Sequence, residues 1–189
     1  MSNNTFIAPK FNVFHVIPWN SGKNIGKSYN QTMSLVKSQD WVCFIDGDAV
    51  HTTSFFGSRI EQIIEANPQY SLFTCYTNRI GCDWQIAPNV DKNTNDQKYH
   101  REFGEKLWET NKTQVIDVTK SSPMSGVMLL INRFSWERVG GFKEERMLSI
   151  DNDIHYRIKN AGMKAGLMTG IYVQHWYRGG NQGDKKHLL

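Results

Sequence analysis

The segment that most constrains this chain is Trp41-Val42-Cys43-Phe44-Ile45-Asp46-Gly47-Asp48. Its first five residues are apolar, which predicts a strand buried on both faces, as in the centre of a parallel sheet. Two carboxylates follow at once, at the strand end where such sheets bind ligands. Asp46 and Asp48 can hold a hard divalent cation, which in turn can hold a diphosphate, and Gly47 lets a ligand approach the backbone closely. The alternative is an ordinary Asp-Gly turn.

The rest of the chain alternates strand and helix patterns. This alternation predicts one α/β domain, with a central, mostly parallel sheet flanked by helices and joined by right-handed crossovers. The predicted strands are 11–17, 41–46, 71–77, 125–131 and 171–174, and the predicted helices are 25–37, 54–67, 101–110, 133–139 and 151–160. We expect 78–120 to be a variable insertion on the acceptor side, and 176–189 to be a mobile lid or tail.

Composition narrows the class of protein. The 189 residues include 39% hydrophobic residues, which is typical of a folded domain. The net charge of +4 fits an anionic small molecule and does not by itself indicate nucleic acid. Three cysteines without a CxxC motif indicate neither a disulfide framework nor a zinc knuckle, and they favour a reducing cytoplasm. We expect no transmembrane segment and no signal peptide.

Further candidate residues lie in the second half of the chain. His175 follows the predicted strand 171–174, and imidazole is a good Mn²⁺ ligand, although a lone histidine at a strand end is more often a plain polar residue. Asp151 and Asp153 open a helix, where acids also serve as caps. Asp151 is the candidate general base, whereas Asp153 is placed to pair with Arg157 one turn later.

Two basic residues are candidates for phosphate contacts. Arg178 has the guanidinium geometry that matches a phosphate, and the glycines after it would let the segment move as a lid. Lys27 at the start of the first helix can also reach a phosphate, although a surface role is the simpler interpretation. The alternative for Arg178 is a frayed C-terminus without a role. The residues alone leave the phosphate contact and its alternative open for both Arg178 and Lys27.

Taken together and in order, these segments resemble a family 2 glycosyltransferase of the GT-A fold. No single segment is decisive, but the ordered set covers most of the chain outside 78–120. The matching pieces are Val16-Ile17-Pro18-Trp19-Asn20, Asn24-Ile25-Gly26-Lys27-Ser28-Tyr29-Asn30, 41–48, 124–133, Val139-Gly140-Gly141-Phe142, Asp151-Asn152-Asp153-Ile154-His155-Tyr156-Arg157-Ile158 and Ala161-Gly162.

The resemblance implies roles for individual residues. Asp48 would coordinate Mn²⁺ or Mg²⁺ with His175, and Asp46 would lie near the ribose and the metal. Asp151 would be the base of an inverting reaction, with Asp153 as the alternative. The nucleotide-sugar side would consist of Pro18, Trp19, Asn20, Lys27, Asn30, Asp46, Gly47 and Arg178, and the acceptor side of Gly126 and Trp176.

The chain departs from the family pattern in two places. Ile150 stands where the family has the Glu of a Glu-Asp pair. In addition, only a short loop separates the first strand from 24–30, where the family has a further strand–helix unit with an acid that contacts uracil. The chain therefore resembles a GT-A domain trimmed in its nucleotide-binding half.

The expected function is metal-dependent transfer of a sugar from a nucleotide-diphosphate sugar, most simply a UDP-sugar, to an acceptor hydroxyl with inversion. The acceptor would be a glycan or a modified nucleic acid. Two alternatives are a nucleotidyltransferase, disfavoured by the lack of a dense glycine run in the first loop, and a non-catalytic sugar-nucleotide-binding module.

Overall fold

The strand Trp41–Ile45 lies in the interior of the protein, between two layers of helices. The structure is a computed structural model that describes residues 10–144 and 148–176. The strands are β1 (Val13–Val16), β2 (Trp41–Ile45), β3 (Ala49–His51), β4 (Tyr70–Thr77), β5 (Val115–Asp117), β6 (Met128–Asn132) and β7 (Lys164–His175). The helices are α1 (Ile25–Leu35), α2 (Phe56–Ala66), α3 (Gln97–Asn111), α4 (Arg133–Arg138) and α5 (Ile150–Asn160), with a 3-10 turn at Asp83–Gln85.

The seven strands form one sheet in the order β1-β2-β6-β4-β7-β3, with β5 paired to β7. The pairs β1–β2 and β4–β7 are parallel, whereas β6 runs antiparallel between β2 and β4. Because β3 and β5 also run antiparallel to β7, four of the seven strands share one direction. The predicted α/β class with a mostly parallel central sheet is confirmed, and β3, β5 and β6 are the strands that run against the common direction.

Alternate residues of β2 enter two separate hydrophobic clusters. Val42 and Phe44 pack with α1 and α5 on one face, where the Phe44 and Tyr29 rings stack at 4.2 Å. Cys43 and Ile45 pack with α2 on the other face. All five β2 side chains are buried, so the prediction of a strand covered on both faces is confirmed. Each large apolar side chain buried here contributes roughly 1.5–3 kcal/mol relative to an exposed one.

Helix α1 approaches the segment after α4 so closely that Gly26 has no room for a side chain. A Cβ atom at Gly26 would lie about 1.9 Å from the backbone oxygen of Lys143. The helix starts at Ile25 and is capped by Asn24, whose side chain accepts a hydrogen bond from the N–H of Lys27. The glycine therefore sets the distance between α1 and the segment that leads to α5.

We predict that Gly26→Ala lowers the free energy of unfolding by about 1–3 kcal/mol, the usual cost of forcing an extra carbon into a packed contact. Thermal unfolding measures the change. Gln31→Ala, on the exposed part of the same helix, is the matched control and should leave the melting temperature almost unchanged. Equal melting temperatures for the two variants would show that the contact is not tight in solution.

The insertion at 78–120 is ordered and packs against β7. Its helix α3 is longer than the predicted 101–110, and β5 at its end was not predicted. Among the described residues, no helix combines the length and the apolar character needed to cross a membrane. Cys43, Cys75 and Cys82 are all buried free thiols.

Candidate functional site

Asp46 and Asp48 lie in a tight turn that joins β2 to β3. The N–H of Asp46 donates to the carbonyl of Val127, and the N–H of Ala49 donates back to the carbonyl of Asp46 at 3.0 Å. These two backbone bonds hold the turn at the carboxyl end of β2. The two acids therefore emerge at the edge of the sheet where we expected them.

The short strand β3 carries this turn to the end of β7. Ala49 pairs with His175 in the antiparallel register, and the N–H of Trp176 donates to the carbonyl of Asp48 at 2.8 Å. This pairing brings together residues that are far apart in the sequence. The predicted meeting of Asp46, Asp48 and His175 is present in the structure.

The His175 ring faces both carboxylates. Its Nε2 atom lies 3.2 Å from Oδ1 of Asp48 and 3.9 Å from Oδ2 of Asp46. The three ligand atoms all lie within 4.8 Å of one another, which is close enough for a single ion. The imidazole is almost fully buried, whereas the Asp46 and Asp48 side chains are 41% and 44% exposed. A metal held here would be open to a ligand from solvent.

The other ring nitrogen of His175 is fixed by the insertion. Nδ1 lies 2.8 Å from the carbonyl oxygen of Arg79, and the backbone N–H of His175 donates to Oδ1 of Asn78 at 2.7 Å. A proton on Nδ1 leaves Nε2 as the nitrogen with the ligand lone pair. A partner of this kind orients metal-binding histidines and determines their tautomer.

Arg79 and Asn78 are functional candidates that the sequence analysis missed. The buried guanidinium of Arg79 binds the loop at 92–95 through the carbonyls of Lys92 and Thr94 and the side chain of Asn95. Both residues follow β4 directly, at the same sheet edge as Asp46. The rule that identified Asp46, polar residues just after a buried strand, applies to them equally.

Asp46 is the acid with the clearest electrostatic signature. Burial raises the pKa of its carboxyl group to about 6 from an ordinary 3.8. The charge of His175 opposes the rise, and the charges of Asp48 and Asp151 add to it. The mutual repulsion of the acids is the situation that a divalent cation relieves.

We predict that the metal-free protein loses stability through Asp46 as the pH rises. Between pH about 4 and about 6 the folded state binds more protons at Asp46 than the unfolded state, so its contribution to the free energy of unfolding falls with increasing pH. Asp46→Asn removes this contribution. With a chelator present, the variant should melt above wild type at pH 7, and the difference should shrink towards pH 4. A difference that is constant with pH would contradict the raised pKa.

Asp151 and Gly126 lie side by side near the acids. A Cβ atom at Gly126 would lie 3.1 Å from Cβ of Asp151 and 3.4 Å from its Oδ2. Burial raises the pKa of Asp151, and the N–H groups of Asn152 and Gly126 partly offset the rise. The backbone donors at the start of α5 would by themselves make this carboxylate a weaker base. Burial outweighs the backbone donors.

Tyr29 of α1 interacts electrostatically with both Asp46 and Asp151. Its hydroxyl is buried, and after burial the charges of Asp46 and Asp151 are what raise its pKa. Tyr29 therefore lies within electrostatic range of both acids. We did not single it out from the sequence, because its position in α1 indicates only a core residue.

Asp153 points to a different set of partners. Its carboxylate pairs with Arg157 at 2.6 Å, the predicted i,i+4 pair, and with Lys143 at 3.0 Å. Ile150, at the departure from the family pattern, is buried in the core. Of the residues that open α5, Asp151 is the one that joins the site.

The remaining sequence candidates are distributed around the first loop. Trp19 is 77% exposed, and Oδ1 of Asn20 accepts hydrogen bonds from the backbone at Gly22 and Asn24, which shapes the loop. Pro18 is half-buried and Lys27 is exposed. Because β1 is parallel to β2, this loop leaves the sheet at the same edge as Asp46.

The Asn30 side chain connects α1 to Trp136 and to the segment at Phe142 by hydrogen bonds. Its amide donates to the carbonyl of Phe142 and to Glu144, and its oxygen accepts from the Trp136 indole and the N–H of Phe142. These four bonds occupy the amide within the protein. A direct contact of Asn30 with a nucleotide would have to replace one of them.

Three other candidates differ in how they are placed. Gly47 is exposed in the turn, and a Cβ there would make only an ordinary contact with Ile17. Trp176 is 43% exposed beside Asp48. Arg178 and the expected lid beyond Trp176 lie outside the described residues.

Comparisons with known proteins assign this chain to no family. No protein-family model matches the chain, and no curated protein matches it. Among solved structures, the crystal structure of A197 from STIV is similar to this chain with 11% sequence identity and a TM-score of 0.43. The similarity covers 88% of this chain and 85% of A197. A likeness at this level carries no argument about function.

Proposed function

We propose that this protein is a metal-dependent glycosyltransferase that moves a sugar from a nucleotide-diphosphate sugar, most simply a UDP-sugar, to an acceptor hydroxyl with inversion. One observation carries the proposal. Asp46, Asp48 and His175 place three ligand atoms within 4.8 Å of one another at the carboxyl end of β2, with a further half-buried acid, Asp151, within electrostatic range of Asp46. This edge is where α/β sheets bind nucleotides.

The donor set fits Mn²⁺ better than the other hard cations. Two carboxylates suit Mn²⁺, Mg²⁺ and Ca²⁺ alike, but the His175 imidazole is a ligand that Mn²⁺ takes more readily than Mg²⁺ or Ca²⁺ does. The partner that fixes Nδ1 of His175 and the mutual repulsion of the acids both favour binding of a divalent cation here. A bound metal would neutralise charge on the departing diphosphate.

The loop after β1 is the candidate for holding the nucleotide base. Trp19 presents an exposed indole there, which can stack on a base and bind it without reading its hydrogen-bonding edge. The missing strand–helix unit makes such a simple contact more important in this chain. Lys27, exposed at the start of α1, would attract the phosphates.

Asp151 is the candidate base. A base near neutral pH needs a raised pKa, and burial gives Asp151 that shift. Its carboxylate would accept the proton of the acceptor hydroxyl as the oxygen attacks the anomeric carbon and the bond to the diphosphate breaks. Gly126 leaves space beside this carboxylate, because any side chain there would press on it.

The experiment that tests the proposal is a thermal-shift series with UDP, GDP, CDP and dTDP, each with and without Mn²⁺. We expect one nucleotide to raise the melting temperature only when Mn²⁺ is present, because a ligand that binds the folded state stabilises it. Turnover of the matching nucleotide-sugars is then followed by product analysis. Release of the nucleoside diphosphate supports glycosyl transfer, pyrophosphate indicates a nucleotidyltransferase, and binding without turnover indicates a binding module.

A further inference from the structure

A second group of metal-ligand side chains lies on the α2 side of the sheet, apart from the acids. His15 of β1 stands directly opposite Cys43 of β2 in the parallel register, so both side chains leave the same face. His51 of β3 completes the group. One ligand atom from each of the three lies within 4.8 Å of the other two.

His51 is the member of this group whose surroundings most favour a bound ligand at its ring nitrogens. Its ring stacks on Phe56 at 3.8 Å between centroids and meets the edge of the His15 ring at 5.8 Å. Both ring nitrogens of His51 are buried, and neither has a hydrogen-bond partner among the residues that the structure describes. An unpaired buried polar atom is unfavourable, and in a native structure it usually has a partner such as a water molecule or an ion.

The chemistry of the three side chains selects the class of metal. Two imidazoles and a thiolate are borderline and soft donors that suit Zn²⁺, whereas Mg²⁺ and Ca²⁺ require oxygen. His15 is exposed, so a fourth position can be filled from solvent.

We propose that His15, Cys43 and His51 bind one Zn²⁺ ion, at a site separate from Asp46, Asp48 and His175. Cys43 gives up its thiol proton to solvent as the sulfur–metal bond forms, which is the usual accompaniment of zinc binding. Cys43 and His51 flank the turn that carries Asp46 and Asp48, one on β2 and the other on β3. The zinc site therefore ties together the two strands that support the acidic turn.

Co²⁺ titration of the metal-free, reduced protein tests this proposal. Co²⁺ replaces Zn²⁺ in such sites, and its bond to a thiolate gives a charge-transfer absorption that carboxylate and imidazole ligands do not give. We expect this absorption to saturate at one equivalent and to disappear when Zn²⁺ is added. Asp48→Asn should give the same spectrum as wild type, because the acidic site contributes no thiolate.

Four further variants assign the ligands. Cys43→Ala should abolish the absorption, and Cys82→Ala, which removes a buried thiol outside the cluster, should retain it. His51→Phe preserves a ring against Phe56, and His15→Ala alters an exposed position, so at least one histidine variant should remain folded by circular dichroism. Loss of a direct ligand should weaken Co²⁺ binding by more than about tenfold, the least that loss of an outer hydrogen bond costs.

Each outcome decides the question. Absence of the thiolate absorption in folded wild-type protein overturns the proposal, as does its persistence in Cys43→Ala or an unchanged Co²⁺ affinity in a folded histidine variant. Because the readout is a thiolate band and involves neither nucleotide nor turnover, its failure leaves the glycosyltransferase proposal standing. Equally, failure of Asp48-dependent nucleotide binding leaves the zinc site untouched.

Discussion

Asp48→Asn should abolish Mn²⁺-dependent UDP binding. The substitution removes one anionic ligand from a set of three and leaves His175 opposite a neutral amide, which binds Mn²⁺ more weakly than a carboxylate does. We expect the apparent affinity for Mn²⁺ with UDP to fall by at least about 100-fold, the upper end of the cost of losing an outer hydrogen bond at a metal site. Isothermal titration of UDP at the Mn²⁺ concentration that just saturates the wild-type protein measures the effect.

The variant should remain folded, because the structural bond of Asp48 is made by its backbone. The N–H of Trp176 donates to the main-chain carbonyl of Asp48, and an asparagine retains that carbonyl. Glu65→Gln, exposed on α2, is the control that removes the same charge elsewhere. If Asp48→Asn binds UDP with Mn²⁺ as tightly as wild type does, Asp48 is not a metal ligand.

The sequence predicted the centre of this fold well because β2 carries a local signal. Five apolar residues in a row can be satisfied only by burial on both faces, and the structure buries all five. The helices α1, α2, α4 and α5 were also predicted within a few residues, since each shows an apolar stripe at helical spacing. These are properties that a short window of sequence contains.

The predicted strand at β7 was too short, because β7 contains glycines that are not typical of strands. The sequence analysis predicted 171–174, whereas the strand runs from Lys164 to His175. Glycine is usually depleted in strands and often marks close approach. Here a Cβ at Gly166 would lie 2.5 Å from the Val115 side chain, and one at Gly170 would lie 2.2 Å from the backbone oxygen of Lys112. The insertion packs onto these glycines, and no local pattern shows that.

The direction of β6 was missed for a related reason. Parallel neighbours need a crossover connection, usually a helix. Between β4 and its neighbour β6 the chain forms α3 and then the unpredicted strand β5, so a single helical crossover does not join them and the rule that strands alternating with helices run parallel does not apply. The short strand Ala49–His51 is similar, since it follows the acidic turn directly and turns back along β7.

The two candidate metal sites differ in how visible they are in the sequence. The acids and His175 each follow a buried strand, so the strand-end rule brings them together in advance. His15, Cys43 and His51 lie on three strands with no common spacing. The register of β1 on β2 places His15 beside Cys43, and the position of β3 adds His51. Absence of a CxxC motif indicated no zinc knuckle, and this arrangement is not one.

Asp151→Asn should reduce sugar transfer by about 10²–10⁴-fold, the usual contribution of a general base. Asparagine has nearly the same shape, so it can keep the contact with Gly126 and the bond from the N–H of Asn152 while losing the basic oxygen. UDP binding with Mn²⁺ should be unchanged or slightly tighter, because one negative charge near Asp46 is removed. The measurements are initial rates at saturating donor and titration of UDP on the same preparation.

Asp153→Asn is the matched control, because Asp153 lies two residues after Asp151 on the same helix. Asp153 is bound to Arg157 and Lys143, so its loss should cost about 1 kcal/mol of stability or less and leave the rate nearly unchanged. A slow Asp151 variant beside an active Asp153 variant identifies Asp151 as the base. The opposite result would transfer that role to Asp153, and equal activity of both variants would remove the base from α5 altogether. In that last case a base from the acceptor side, or a retaining reaction without one, would have to be sought.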